Sequence, residues 1–118
     1  MEFVITFIQP DHVYETNADP VTGPPALQEW RLYMEAMAAE GVLRGATRLD
    51  AFGATTVRVR EGQRQVQDGP YAESKDLLGG YAMLEVPSLD EALKWAARSP
   101  SSRWGGTEVW PVIPMQRP

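Results

Sequence analysis

The run Asp68-Gly69-Pro70-Tyr71-Ala72-Glu73-Ser74-Lys75 sets two carboxylates and an ammonium around a Gly-Pro step. A carboxylate in such a place can act as a general base if partial burial lifts its pKa towards neutrality. Asp68 is therefore the first candidate catalytic residue. The competing role is structural, because Asp before Gly-Pro often accepts hydrogen bonds from its own turn and fixes it. Glu73 could hold a cationic group and Lys75 an anion such as a carboxylate. Their spacing of two puts them on one side of an extended segment, although an exposed ion pair there would contribute little. Gly69, Pro70 and Tyr71 complete a candidate ligand-binding loop. Gly80 and Tyr81 join it from the next strand, since Gly79-Gly80 permits close backbone approach to a neighbouring strand or a ligand.

His12 is the second candidate catalytic residue. It is the single histidine, flanked by Asp11 and followed by Glu15, and imidazole is the side chain most often used to move protons. It could move a proton if the segment carrying it folds over a cleft towards Asp68. One His with two carboxylates and no Cys is a thin ligand set, so neither a metal nor a cofactor is expected.

The wider composition narrows the classes of function. With 118 residues, 43% hydrophobic and 23% charged, the chain has the size and apolar content of one globular domain. The absence of cysteine excludes disulfides, thiolate nucleophiles and thiolate metal sites. A net charge of −5, with the arginines dispersed, argues against nucleic acid as a partner. No apolar run approaches membrane-spanning length. The start, Met1 to Ile8, lacks the basic region and cleavage site of a signal peptide and reads as a first strand. A cytoplasmic location is expected.

These residues need elements to position them. Residues 2–9 are apolar on both faces, as in a central strand. Residues 10–25, with four prolines plus Asn17, Asp19 and Gly23, read as a long irregular loop. Pro24-Pro25 can open a helix, and Leu27, Trp30, Met34, Met37 and Ala38 share one face of it, giving a helix over about 25–40 that ends at Gly41. A strand bent at Gly45 follows over 42–50. Thr55 to Arg60 alternates, with Val57 and Val59 expected inward, and turns through Glu61-Gly62 into a short return strand. Gly80 to Val86 is a further strand.

Ser88-Leu89-Asp90-Glu91 is a capping box in which Glu91 should reach back to the Ser88 N–H. The helix it opens carries Leu89, Ala92, Leu93, Ala96 and Ala97 as its apolar stripe, with Trp95 off the stripe, and stops at Ser99-Pro100. Thr107 to Ile113 is the last strand, and 114–118 should fray. Trp30 is expected in the core, Trp104 and Trp110 on a pocket wall or a subunit contact. The order predicts an α+β fold of the ferredoxin-like, split-βαβ type: an antiparallel sheet with two helices on one face. Its uncovered face predicts a homodimer.

The Asp68–Lys75 run resembles the Asp-Gly-Pro-Phe-Ala-Glu-Thr-Lys motif of the DGPF branch of the YCII-related family, with Tyr71 and Ser74 as conservative departures. Ala54 to Arg60, Gly79-Gly80-Tyr81, Leu84-Glu85-Val86, Ser88 to Ala97 and Glu108 to Val112 extend the resemblance over most of residues 1–118. It implies a single dimeric α+β barrel domain. Members of the shorter YCII branch carry a His in the first helix and an Asp near the end of the second. Here His12 precedes the expected first helix, and the second ends Ala97-Arg98-Ser99-Pro100.

The functional expectation is a homodimer holding a small polar molecule in a cleft near the DGP loop. A cofactor-free isomerase or lyase using Asp68 or His12 is the first alternative. Because some DGPF relatives are associated with sigma factors, a regulatory interaction protein is the second.

Overall fold

The computed structural model describes residues 1–115. Strand β1 (Glu2–Pro10) runs through the middle of a four-stranded antiparallel sheet. Its neighbours are β5 (Asp76–Glu85) and β6 (Gly106–Pro111), and β2 (Leu43–Arg48) lies outside β5. The order β2-β5-β1-β6 is the ferredoxin-like one, as the sequence predicts.

Alternation along β1 sends Phe3, Ile5 and Phe7 to one face. Register sets Leu84, Ala82 and Gly80 of β5 opposite them. Helices α2 (Gly23–Ala39) and α3 (Leu89–Arg98) cover this face, contributing Tyr33, Met37, Ala92 and Trp95 to one continuous core. The Tyr33 hydroxyl stays satisfied inside it by donating to the Trp95 carbonyl at 2.7 Å. On the other face Val4, Thr6, Ile8, Tyr81 and Met83 are only half-buried, and Trp110, paired with Val4, is exposed.

Several expectations need correction. Residues 10–25 are not an irregular loop: Asp11–Ala18 form helix α1, and α2 begins already at Gly23. Pro10 holds φ at −59° just before α1, and Asp11 places a carboxylate in its first turn, where the helix dipole favours negative charge. Val13 docks it. Asp19 then accepts from the N–H groups of Val21 and Thr22 at 2.8 and 3.1 Å, joining α1 to α2; these two bonds also lower its pKa. His12 therefore lies on a helix.

Trp95 belongs to the core, at 7% exposure, while Leu89 and Leu93 are half-exposed and Ala97 is exposed. The buried stripe of α3 is Ala92, Trp95 and Ala96, an i, i+3, i+4 set in which one large ring fills the space beside Tyr33. The α3 cap forms as expected on one side, with Glu91 N–H donating to Ser88 Oγ at 3.3 Å. The Glu91 carboxylate instead takes Lys94 Nζ at 3.1 Å. A four-residue turn of helix, α4 (Ser101–Trp104), follows α3.

Strands β3 (Thr55–Arg60) and β4 (Gln63–Asp68) pair only with each other. Their turn, Glu61-Gly62, has φ of 52° and 75°, the two positive values a tight hairpin turn requires. Val57 and Val59 are not inward: they are 56% and 60% exposed, and Val66 opposite Val57 is 54% exposed. Among the described residues no other strand pairs with this ribbon. Of the tail expected to fray, Pro114 and Met115 carry no regular structure, and 116–118 lie outside the described residues.

Candidate functional site

A cavity of about 630 Å³ lies between α1, α2 and the β2–β5 side of the sheet. That volume suits a small organic molecule. The ends of β1 and β5 give its floor through Phe7, Gln9, Gly79 and Gly80. Tyr14 and Asn17 of α1 and Leu27, Trp30, Arg31 and Met34 of α2 wall one side. The other side is β2 and the chain after it, from Ala46 to Phe52.

The floor is flat for a reason readable in the register. Phe7 pairs with Gly80, and Ile8 pairs with Leu78, so Gly79 is the extra residue of a β-bulge. The Tyr14 ring lies directly over it: a Cβ on Gly79 would sit 2.5 Å from both Cε1 and the hydroxyl. That hydroxyl donates to the Leu77 carbonyl at 2.7 Å. Burial pushes the phenol's pKa up, an effect partly offset by the adjacent Gln9 amide. Tyr14 is thus a neutral donor at neutral pH, spent on the main chain, and does not serve as a base.

The remaining wall is aromatic with a polar rim. Phe7 and Trp30 meet edge to face at 4.8 Å between centroids, and Tyr14 and Phe52 at 6.3 Å. Gln9 continues the inward file of Phe3, Ile5 and Phe7 and is 2% exposed, so an amide lies where the pattern would put a hydrocarbon. Two guanidiniums, Arg31 and Arg48, and one carboxylate, Asp50, line the rim. Asp50 accepts from the Phe52 N–H at 3.0 Å and shapes its own loop. Arg31 is engaged along its helix by Gln28 and by Glu35, the latter at 3.9 Å.

Of the residues singled out from sequence, Gly80 alone lines this cavity. Tyr81, opposite Thr6 and Thr47, points to the other face of the sheet. Pro70, Glu73 and Lys75 border a second, shallower depression of about 430 Å³ with Ser74 and Leu77. Asp68 is exposed at the end of β4. Its turn is held by main chain and a hydroxyl: Gly69 N–H donates to Ala54 O at 2.7 Å, and Thr56 Oγ1 to Gly69 O at 2.7 Å. Tyr71 is 70% exposed, with the Arg58 guanidinium 5.4 Å from its ring centroid. His12 is exposed and its Nδ1 lies 4.0 Å from Asp11 Oδ1. The neighbouring Asp11 N–H donates to Lys75 O at 2.9 Å, which brings the start of α1 beside the end of the DGP loop. No group of three or more His, Asp or Glu placed to hold a metal occurs among the described residues.

Sequence reasoning missed Gln9, Tyr14, Arg31, Arg48 and Phe52 as cavity residues. The available signal was Gln9, a polar residue in phase with three buried apolar ones.

Fold and cavity define a ferredoxin-like α+β domain with a hollow beside its sheet. The chain belongs to the YCII-related domain family, whose model matches residues 4–116. An uncharacterised protein of Rhizobium meliloti is 39% identical over 87 residues, covering 70% of this chain. The match spans 65% of that protein's length. Among solved structures, 5-chloro-2-hydroxyhydroquinone dehydrochlorinase from Burkholderia phenoliruptrix, in complex with 2,5-dihydroxybenzoquinone, is similar in fold. The TM-score is 0.58 at 16% identity, over 96% of this chain and 94% of that one. No helix among the described residues is long and apolar enough to cross a membrane.

Proposed function

We propose that this protein is a homodimeric binder of a small organic molecule, held in the cavity between α1, α2 and the β2–β5 corner. The observation that carries the reading is the cavity itself: about 630 Å³, aromatic-walled, with a buried amide on its floor and guanidiniums on its rim. An apolar hollow with few convergent polar groups is the usual form of a small-molecule site. The DGP loop is then a neighbour of the site, touching α1 through the Asp11–Lys75 hydrogen bond, rather than its wall.

The dimer is supported by what one subunit leaves uncovered. A second sheet packed on Val4, Ile8, Tyr81, Met83 and Trp110 would bury them, and the same approach would cover the β3–β4 ribbon. The radius of gyration is 16.3 Å, against about 13–14 Å for a compact chain of this length.

Screening small metabolites for thermal stabilisation tests the binding role. Stabilisation should disappear in Ala46→Trp, which fills the hollow from an exposed strand position. Binders unaffected by that change would refute the site. A second reading, turnover at the same cavity, draws on the similarity in fold to the dehydrochlorinase. Fold alone does not carry the activity over. The cavity wall carries neither a histidine nor a cysteine, and its tyrosine hydroxyl is committed to the main chain. Conversion of a stabilising compound would move the balance to this reading.

A further inference from the structure

Resting on that reading of the cavity, we infer that its ligand is a planar aromatic acid whose anionic group is held by Arg48. Three independent features converge on this class.

The first is charge. Arg31 is occupied by Gln28 and Glu35, and Asp50 by the Phe52 N–H. Arg48 enters no ion pair or side-chain hydrogen bond among the described residues. An unengaged guanidinium on the rim of an apolar hollow presents a planar fork that matches a carboxylate.

The second is shape. The Tyr14 ring already covers Gly79, so a flat ligand would meet aromatic side chains rather than bare strand. Phe7, Tyr14, Trp30 and Phe52 supply ring faces and edges around it, the surroundings a conjugated ligand prefers. The third is polarity at depth. Gln9 offers both a donor and an acceptor on the floor, which suits a carbonyl or hydroxyl on the ring and penalises a hydrocarbon there. The ligand thus has an acidic end at Arg48 and an oxygen at the buried end.

The test uses para-hydroxybenzoate, its methyl ester and cyclohexanecarboxylate, with affinity read by calorimetry and by quenching of tryptophan fluorescence in the full chain. The aromatic acid should bind at least about tenfold more tightly than either control, as expected for one charge-assisted bond and one ring contact. Arg48→Met should remove about tenfold from the acid and leave the ester unchanged. Arg48 is exposed on strand β2, so the variant should keep its circular dichroism and thermal midpoint. Equal affinity for acid and ester, or an Arg48→Met effect equal on both, overturns the ligand class while leaving the cavity a binding site. No binding of any of the three overturns the class as well. If, in addition, no metabolite in the thermal screen responds to Ala46→Trp, the binding role itself falls.

Discussion

The Tyr14 ring occupies the space that a side chain on Gly79 would need, and the Tyr14 hydroxyl bonds the carbonyl of Leu77 two residues earlier on the same strand. One aromatic residue thus clamps a β-bulge from above and ties α1 to the sheet.

Gly79→Ala should lower stability by about 1–3 kcal/mol, because the new methyl group must displace a ring rather than a flexible chain end. In a Tyr14→Ala background the same change should cost much less. A double-mutant cycle by urea unfolding would measure this coupling. Additive effects would show that the clamp does not exist.

Tyr33 should give the fold an alkaline limit. Burial raises the folded-state pKa of its phenol well above the ordinary 10.0, against the smaller opposing effects of Arg98 and Ser99. The unfolded chain therefore releases this proton first. Stability from the neutral buried phenol is complete below pH 10.0 and declines as pH climbs beyond it. Tyr33→Phe should cost about 1–3 kcal/mol at neutral pH, since the buried Trp95 carbonyl loses its donor. It should also flatten the decline above pH 10.0 in denaturant titrations.

Ser88→Ala should destabilise by about 1 kcal/mol, and Ser88→Asp should avoid most of that loss, because either oxygen can take the Glu91 N–H. Chemical denaturation with unchanged slope would register both.

Val57→Asp combined with Val66→Asp should shift light scattering from dimer to monomer at micromolar concentration, since a facing layer would have to bury both charges. A wild-type chain that is monodisperse as a monomer would remove the dimer from the account.

His12→Ala and Asp68→Asn should leave affinity for a cavity ligand within about twofold, as expected of exposed side chains outside the lining. A large loss in either would return the site to the DGP loop.

Much of the scaffold was legible because local rules there agree with the tertiary outcome. Ser88 caps α3, Gly41 ends α2 at φ 73°, Glu61-Gly62 turns the ribbon, and the β2 register shifts between Leu43 and Gly45 where a bend was expected. The misses lie where packing overrode composition. The prolines of 10–25 read as breakers, yet Pro10 sits just ahead of α1, and Pro24 falls in the first turn of α2, where a missing N–H costs nothing. Leu89 and Leu93 drew the expected stripe of α3 towards the larger aliphatics, whereas the sheet accepts Trp95 between two alanines. The cavity was the least legible part. It is assembled from Tyr14, Trp30, Arg48 and Phe52, which no sequence period groups together, and an eye for motifs goes instead to the DGP loop.

The ribbon of β3 and β4 has one more implication. Two strands with nothing stacked on either side are only marginally ordered in water, so amide protons from Thr55 to Asp68 should exchange quickly in any isolated subunit. A protease that favours exposed arginines would then meet Arg60 and Arg64 on either side of the tip. If the proposed dimer forms, the cutting rate should rise on dilution, and a rate independent of concentration would speak against it.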